Sequence, residues 1–400
     1  MYEIFPYFTN DGSVGLYSPV DDDIYHSTYG ALTEAYEKFI LPANFDEYFK
    51  KNNEIKILDI CFGIGYNSKS FLNYFCENFE KKLLAQNIYI DKIDTDNKFN
   101  KIFIKAIDMD KNLIFLSPFM KTNKKFIFNN KIGFKQDKIN KLLSNKIKSK
   151  YNIAKYVEII FLKKIMKACP QMLDDVEFLK LLNNKKYKRY FSENLRHVFN
   201  YYHNYWYKTN LISKINGFLH NIYYKYISRS YKKALKHLKL NDFTFEVDIE
   251  DARQSLQNDK NKYNFVFLDA FSPAKCPALW TLDFLRLLNS HLDENGMVLT
   301  YSNSASIRNA FIQAGFWVGK IYDKKLDKYI GTVATKKLEL IKYGLSEYDL
   351  GLINTKAGIV YRDESLSLDN ESIIAAHAIT VATSALQSSS KFIKTFRGAK

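Results

Sequence analysis

Four hundred residues, 46% of them apolar, can bury a sizeable core and fit one α/β unit carrying an insertion. Cys61, Cys76, Cys169 and Cys276 stand far apart, with no Cys-x-x-Cys pair and no histidines clustered near them, so neither a disulfide scaffold nor a metal site is expected and a reducing cytoplasm fits best. The net charge is +16, and the longest uncharged segment, residues 372–390, is rich in Ser, Thr and Gln, so no signal peptide or membrane span is expected.

Residues 1–50 read as a segment ahead of the first clear α/β unit. IKILDI (Ile55–Ile60) is a buried strand with Asp59 near its end. Phe62-Gly63-Ile64-Gly65-Tyr66-Asn67 then turns into a helix over 68–79, and a second apolar strand, 88–93, ends at Asp94. Glycines at such a turn let a ligand approach the backbone, and an acid at the tip of the next strand can accept both ribose hydroxyls. The residues therefore predict a nucleoside cofactor. The third glycine of a dinucleotide fingerprint is replaced by Ser68, and Asp59 would repel a pyrophosphate. A carboxylate there suits the cationic amino-acid end of S-adenosylmethionine (SAM).

Positive charge is concentrated between residues 101 and 240, with 31 Lys and Arg against 8 Asp and Glu, whereas the rest has 28 against 35. The same segment interleaves aromatics, as in NYYHNYWYK (200–208) and NIYYKYISRSYKK (221–233). Cations that release counterions from phosphates and rings that stack on unpaired bases suit RNA. Codon bias would enrich Lys, Asn, Ile, Phe and Tyr but would not deplete acids locally. Residues 97–240 are predicted to be a mostly helical, basic insertion, with Ile212, Ile215, Leu219, Ile222 and Tyr226 at helical spacing serving packing; residues 126–150 have no assignable periodicity.

Beyond it, Phe243–Val247 reads as a strand, and Asp251-Ala252 offers an acid and a small residue where an adenine could sit. A buried strand over 265–268 runs into FLDAFSPAKCPALW (267–280), which sets Asp269 at the lip of the sheet ahead of a Pro-stiffened aromatic loop. Acids at successive strand tips are how an open, mostly parallel, doubly wound sheet builds a site. The core is thus expected over 51–96 and 241–336, with 337–400 as an extension whose residues 373–386 could form an amphipathic helix.

Asp59 to Asn67 together with Leu268 to Pro277 and Trp280 resemble the methyltransferase half of the MnmC family, the bifunctional proteins that make 5-methylaminomethyl-2-thiouridine in tRNA. Further similarity lies in Asp11-Gly12-Ser13, in residues 22–35, in TYSNSASIRNAFIQAGF (300–316) and in Gly331 to Ala334. It covers residues 5–96 and 240–335 and departs from the family at Cys61, Ile64 and Cys276, where the family has Gly, Thr and usually Asn. The FAD-dependent oxidase half has no counterpart here, which implies a free-standing, FAD-independent methyltransferase working alongside a separate oxidase.

The resemblance implies a class I, Rossmann-like methyltransferase that methylates the amine of 5-aminomethyluridine at the wobble position, with the tRNA anticodon stem-loop as partner. Asp269 would orient the amine and stabilise charge developing on nitrogen. Asp59, Phe62, Gly63, Gly65, Asn67, Asp94, Asp251 and Ala252 would hold the cofactor. Tyr25, His26 and Glu34 would line the substrate mouth, with residues 1–50 covering the site. Phe271, Pro273 and Trp280 would form a wall for a flipped uracil, with Lys275 near phosphate. Capping by Asp269 and core packing by Trp280, Ser302 and Arg308 are the plainer readings of those residues. Aminopropyl transfer or methylation of another amine, and a tRNA-binding module with a degenerate cofactor site, stand as alternatives.

Overall fold

The computed structural model describes residues 3–19, 23–25, 28–85, 101–121, 157–193, 195–197, 199–200, 203 and 243–398. Strands β1 (Phe5–Phe8), β2 (Val14–Ser18) and β3 (Asp23–Ile24) make a small antiparallel sheet. It leads into helix α1 (Ala31–Ala35), a π turn over Tyr36–Ile40, and α2 (Phe45–Lys51). A helix start leaves N–H groups without partners, and here another element supplies them. Thr33 N donates to Asp11 Oδ2 at 2.8 Å and Ala31 N to Ser13 Oγ at 3.0 Å. Asp11-Gly12-Ser13 is therefore a cap that fixes α1, and with it the cavity-lining face that carries Glu34.

Strand β4 (Glu54–Ile60) leads through the glycine turn to α3 (Tyr66–Ala85). Its parallel neighbour is β5 (Lys101–Ile107), with Glu54 beside Lys101 and Ile60 beside Ile107. The strand expected over 88–93 lies outside the described residues. The start of a helical insertion at residue 97 needs correction, because 101–107 belongs to the central sheet. Lysines disguise this strand in the sequence. Lys105 is buried and is neutralised by Asp248 at 2.7 Å and Asp259 at 3.2 Å, partners that lie far along the chain.

Helix α4 (Lys111–Leu116) follows, and then α5 (Glu158–Ala168) and α6 (Val176–Asn183). Their apolar sides join the main core: Phe161 meets Phe245 at 5.1 Å, and Phe178 meets Phe115 at 5.5 Å. After β5, the described part of 97–240 is thus mostly helical cover packed on the main core. Residues 126–150 and 204–240, with most of the aromatic stretches quoted above, lie outside the described residues.

The remaining elements are β6 (Phe243–Asp248), α7 (Ala252–Asn258), β7 (Tyr263–Leu268), α8 (Leu282–His291), β8 (Leu292–Thr300), α9 (Ala305–Gln313), β9 (Trp317–Asp323) and β10 (Lys328–Thr335). The seven-stranded sheet runs β6-β5-β4-β7-β8-β10-β9; the first five strands are parallel, and β10 is antiparallel to both its neighbours. Strands buried on both sides read as unbroken apolar runs. Phe265 and Phe267 pack into one core cluster, Val266 and Leu268 into the other. This is the mostly parallel, doubly wound α/β fold expected. The strand order reverses between β4 and β7, which is where such a sheet opens a crevice.

Helices α10 (Glu347–Ile353), α11 (Asn370–Thr383) and α12 (Ser389–Gly398) complete the chain. Buried charges tie this extension to the core: Arg308 to Asp349 at 2.9 Å, Lys320 to Asp349 at 2.7 Å, and Arg253 to Asp363 at 2.7 Å. Among the described residues no helix is long and apolar enough to cross a membrane.

Candidate active site at the switch between β4 and β7

A cavity of about 1330 Å³ opens at the carboxyl ends of the parallel strands, where the strand order reverses; Cys61, Phe62 and Gly63 after β4 and Asp269 to Ser272 after β7 line it. Gly63 has φ 54, and the only atom near a Cβ placed there is the Cys61 carbonyl oxygen at 3.9 Å, so its bare backbone faces open space. Gly65, at φ 75, is a glycine for a different reason. A Cβ there would strike the Phe62 ring at 2.4 Å. Gly63 therefore meets the cavity, whereas Gly65 seats the ring of Phe62, which lines it.

Asp59 does not reach the cavity wall, which corrects its assignment to the cofactor's cationic end. It lies under the turn, fully buried, where Oδ2 accepts from Ser68 N at 3.2 Å and Ser68 Oγ at 2.5 Å. The carboxylate caps α3 from the strand beneath it. Its Oδ1 has no hydrogen-bond partner, and burial, reinforced by the nearby Asp269 and Asp108, pushes its pKa up to about 8.

Asp94 lies outside the described residues. At the tip of the strand beside β4 stands Asp108, which lines the cavity, and its Oδ2 accepts from Gly63 N at 2.7 Å. Burial raises its pKa to about 6 despite the backbone donors around it. Asp251 and Ala252 line the cavity as well. Asp251 also caps α7, accepting from Arg253 N at 2.8 Å, and pairs with the Arg253 guanidinium at 2.6 Å. Asp369 and Asn370, from the extension, line it too.

Asp269 sits on the floor, with Asn67 Nδ2 donating to its Oδ2 at 3.0 Å. Enclosure raises its pKa to about 6, offset in part by Asn67 and the Lys38 ammonium. Tyr25, Glu34, Phe271 and Lys275 also line the cavity. The rings of Tyr25 and Phe271 meet at 5.0 Å and 51°. His26 lies outside the described residues.

Pro273 and Trp280 are not on the cavity wall. Trp280 is wholly buried; its Nε1 donates to Phe271 O at 2.8 Å, and its ring meets Tyr301 edge-on at 6.2 Å. It braces the loop that presents Phe271 and does not offer a stacking face. Arg308 and Ser302 are likewise buried supports, with Arg308 Nε donating to Thr332 Oγ1 at 3.1 Å and Thr332 Oγ1 to Ser302 O at 2.6 Å.

Besides Asp108, the wall residues that escaped the sequence reading include Lys38 and Tyr301. Lys38, one helical turn after Glu34, pairs with it at 3.0 Å and lies 5.5 Å from the Tyr301 ring centroid. Its spacing from Glu34 was the available signal. Tyr301, whose hydroxyl donates to Ala270 O at 2.8 Å, lies within the stretch of family similarity but was not singled out. Among the described residues no group of three or more His, Cys, Asp or Glu could hold a metal ion.

The site has the parts a SAM molecule needs. Bare backbone at Gly63, an acid at the tip of the adjacent strand, and a small residue beside an acid on the far wall converge on one cavity.

Residues 213–336 match the family model described as S-adenosyl-L-methionine-dependent methyltransferase. A protein of Methanocaldococcus jannaschii is 34% identical over 127 residues, 32% of this chain and 35% of that one. The tRNA 5-methylaminomethyl-2-thiouridine biosynthesis bifunctional protein MnmC of Burkholderia multivorans is 34% identical over 71 residues, 18% of this chain and 11% of that one. The chain thus spans about a third and about a tenth of the length of these two relatives. The crystal structure of MnmC2 from Aquifex aeolicus matches with a TM-score of 0.54 at 21% identity, over 96% of this chain and 86% of that one, a likeness of fold. Residues 213–336 are thus similar to S-adenosyl-L-methionine-dependent methyltransferases, and the chain is similar over 71 residues in sequence to one MnmC protein and in fold to MnmC2.

Proposed function

We propose that this protein transfers a methyl group from SAM to the primary amine of 5-aminomethyluridine at the wobble position of tRNA, giving 5-methylaminomethyl-(2-thio)uridine. The observation that carries the reading is the position of Asp269. It lies on the floor of the cavity that Gly63 and Asp108 share, bonded to Asn67, and faces an end walled by Tyr25, Phe271, Glu34 and Lys38.

SAM, when bound, supplies a methyl group activated by a positive sulfonium. Gly63, Phe62, Asp108, Asp251 and Ala252 would hold it. Asn67 keeps the Asp269 carboxylate from turning away, so that one oxygen can accept from the amine and aim its lone pair, and positioning of this kind supplies most of the rate in such a displacement. As the nitrogen–carbon bond forms and the methyl–sulfur bond breaks, leaving a neutral thioether, the positive charge passes to nitrogen, where a carboxylate already in place would stabilise it without reorganising before the proton is released to that carboxylate or to water. With its pKa near 6, Asp269 is a better proton acceptor than an ordinary aspartate, yet is mostly ionised at neutral pH. Tyr25 and Phe271 supply ring faces for an unstacked uracil.

The test is nucleoside analysis of tRNA from cells lacking the gene. Accumulated 5-aminomethyluridine is the expected result, and an unchanged wobble nucleoside would reject the reading.

A further inference from the structure

Strands β9 and β10 do not stop at the edge of the sheet. Thr332 of β10 pairs with Thr300, the last residue of β8, so Lys328, four positions earlier, stands about 13 Å beyond that edge at roughly 3.3 Å per residue. This is the same carboxyl edge that holds Asp269, since Thr300 pairs with Leu268. The hairpin joining Asp323 to Lys328 therefore projects beside the cavity mouth. It leans on the mouth as well, because Lys325 pairs with Glu37, the residue before Lys38.

The projecting part is basic and aromatic. Lys324 and Lys328 are exposed, and the exposed Tyr329 ring packs with Tyr322 at 5.4 Å and Tyr343 at 6.2 Å, with Lys320 Nζ 3.9 Å from its centroid. Tyr329 is 43% exposed, and Tyr29, within electrostatic reach of Glu37 and Asp323, is 42% exposed. Of the acids in the hairpin, Asp323 is buried and Asp327 accepts from the Tyr322 hydroxyl. Cations flanking exposed rings are what phosphates and unpaired bases bind.

We propose that the β9–β10 hairpin docks the anticodon arm of tRNA, with Lys324 and Lys328 on phosphates and Tyr329 against a loop base, so that the wobble nucleotide reaches the cavity beside it. The assignment rests on the reaction proposed above for its substrate, and it names a surface that the basic segment between 101 and 240 does not include.

The test is fluorescence anisotropy with tRNA and with its anticodon stem-loop, from about 50 to 200 mM salt. Lys324→Glu/Lys328→Glu should weaken binding at least about ten-fold and reduce the steepness of the log–log salt dependence by roughly 1.4 to 1.8, the loss of two phosphate contacts. Lys260→Glu/Lys337→Glu, an equal charge change placed toward the opposite edge, should bind like the wild type, and SAM affinity should be unchanged in both. Equal binding by the hairpin variant, equal weakening by the control pair, or no tRNA binding by the wild type would overturn the proposal. Methyl transfer is scored separately. Wild-type protein that binds tRNA through the hairpin yet transfers no methyl group would reject the reaction and leave the surface standing, whereas full tRNA methylation with normal KM by the hairpin variant would do the reverse.

Discussion

Cys61 adopts φ 59, a left-handed conformation that costs a residue with a Cβ roughly 1 to 2 kcal/mol. Its side chain lines the cavity beside Gly63. Cys61→Gly should relieve the strain, less about 0.5–1 kcal/mol for the extra freedom of glycine in the unfolded chain, and should leave SAM affinity equal or tighter. Calorimetry checks this, and weaker binding would mean that the thiol is a contact. The proposed role of Asp269 works through a carboxylate whose pKa is raised to about 6, so it predicts that kcat/KM rises with pH through about 6 and that Asp269→Ala lowers turnover about 100- to 10,000-fold with SAM affinity nearly unchanged. Asp59 acts on stability, not on turnover. Its folded pKa of about 8 exceeds the unfolded value near 4, so the fold prefers the protonated group and loses stability as pH rises between those values. Asp59→Asn keeps an acceptor for Ser68 and should be progressively more stable than the wild type from pH 5 to 8, read as a widening gap in Tm.

The elements at the site were legible to different degrees, for local reasons. The glycine turn and the strand ending in Asp269 announce themselves because an apolar run, a glycine and a proline are all neighbours in sequence. Strand β5 did not, since Lys101 and Lys105 break its pattern and the acids that neutralise Lys105 come from β6 and the stretch after α7. The acid opposite the glycine turn was consequently sought at Asp94, whereas Asp108 holds that place. Asp108→Ala removes both the carboxylate and the acceptor for Gly63 N–H, and SAM binding should weaken by about 1–3 kcal/mol. An unchanged affinity would reject Asp108 as the ribose-binding acid. Trp280 was expected as a stacking wall from the family resemblance, with core packing as the plainer reading. Which way a ring faces is decided by tertiary packing, and here Tyr301 and the Phe271 carbonyl claim it.

At the scale of the molecule, the extension after residue 336 is part of the site. Arg253, from α7, joins Asp251 on the cavity wall to Asp363 and the Leu368 carbonyl, which leads directly to Asp369 and Asn370, also on that wall. A Ser- and Thr-rich tail gives no hint of this in sequence, because its partners lie about a hundred residues away. Arg253→Ala would leave Asp363 buried without its cation, and should cost about 3–5 kcal/mol of stability in denaturant titration. The same buried links make the sheet, the cap from Asp11 and the extension one enclosure around the crevice, in which the amine and the methyl donor must meet. The most direct measurement is incubation of purified protein with SAM and tRNA bearing 5-aminomethyluridine, followed by mass analysis of the wobble nucleoside. The account expects one methyl group on the side-chain nitrogen, lost with Asp269→Ala; an unmodified nucleoside, or undiminished methylation by that variant, would contradict it.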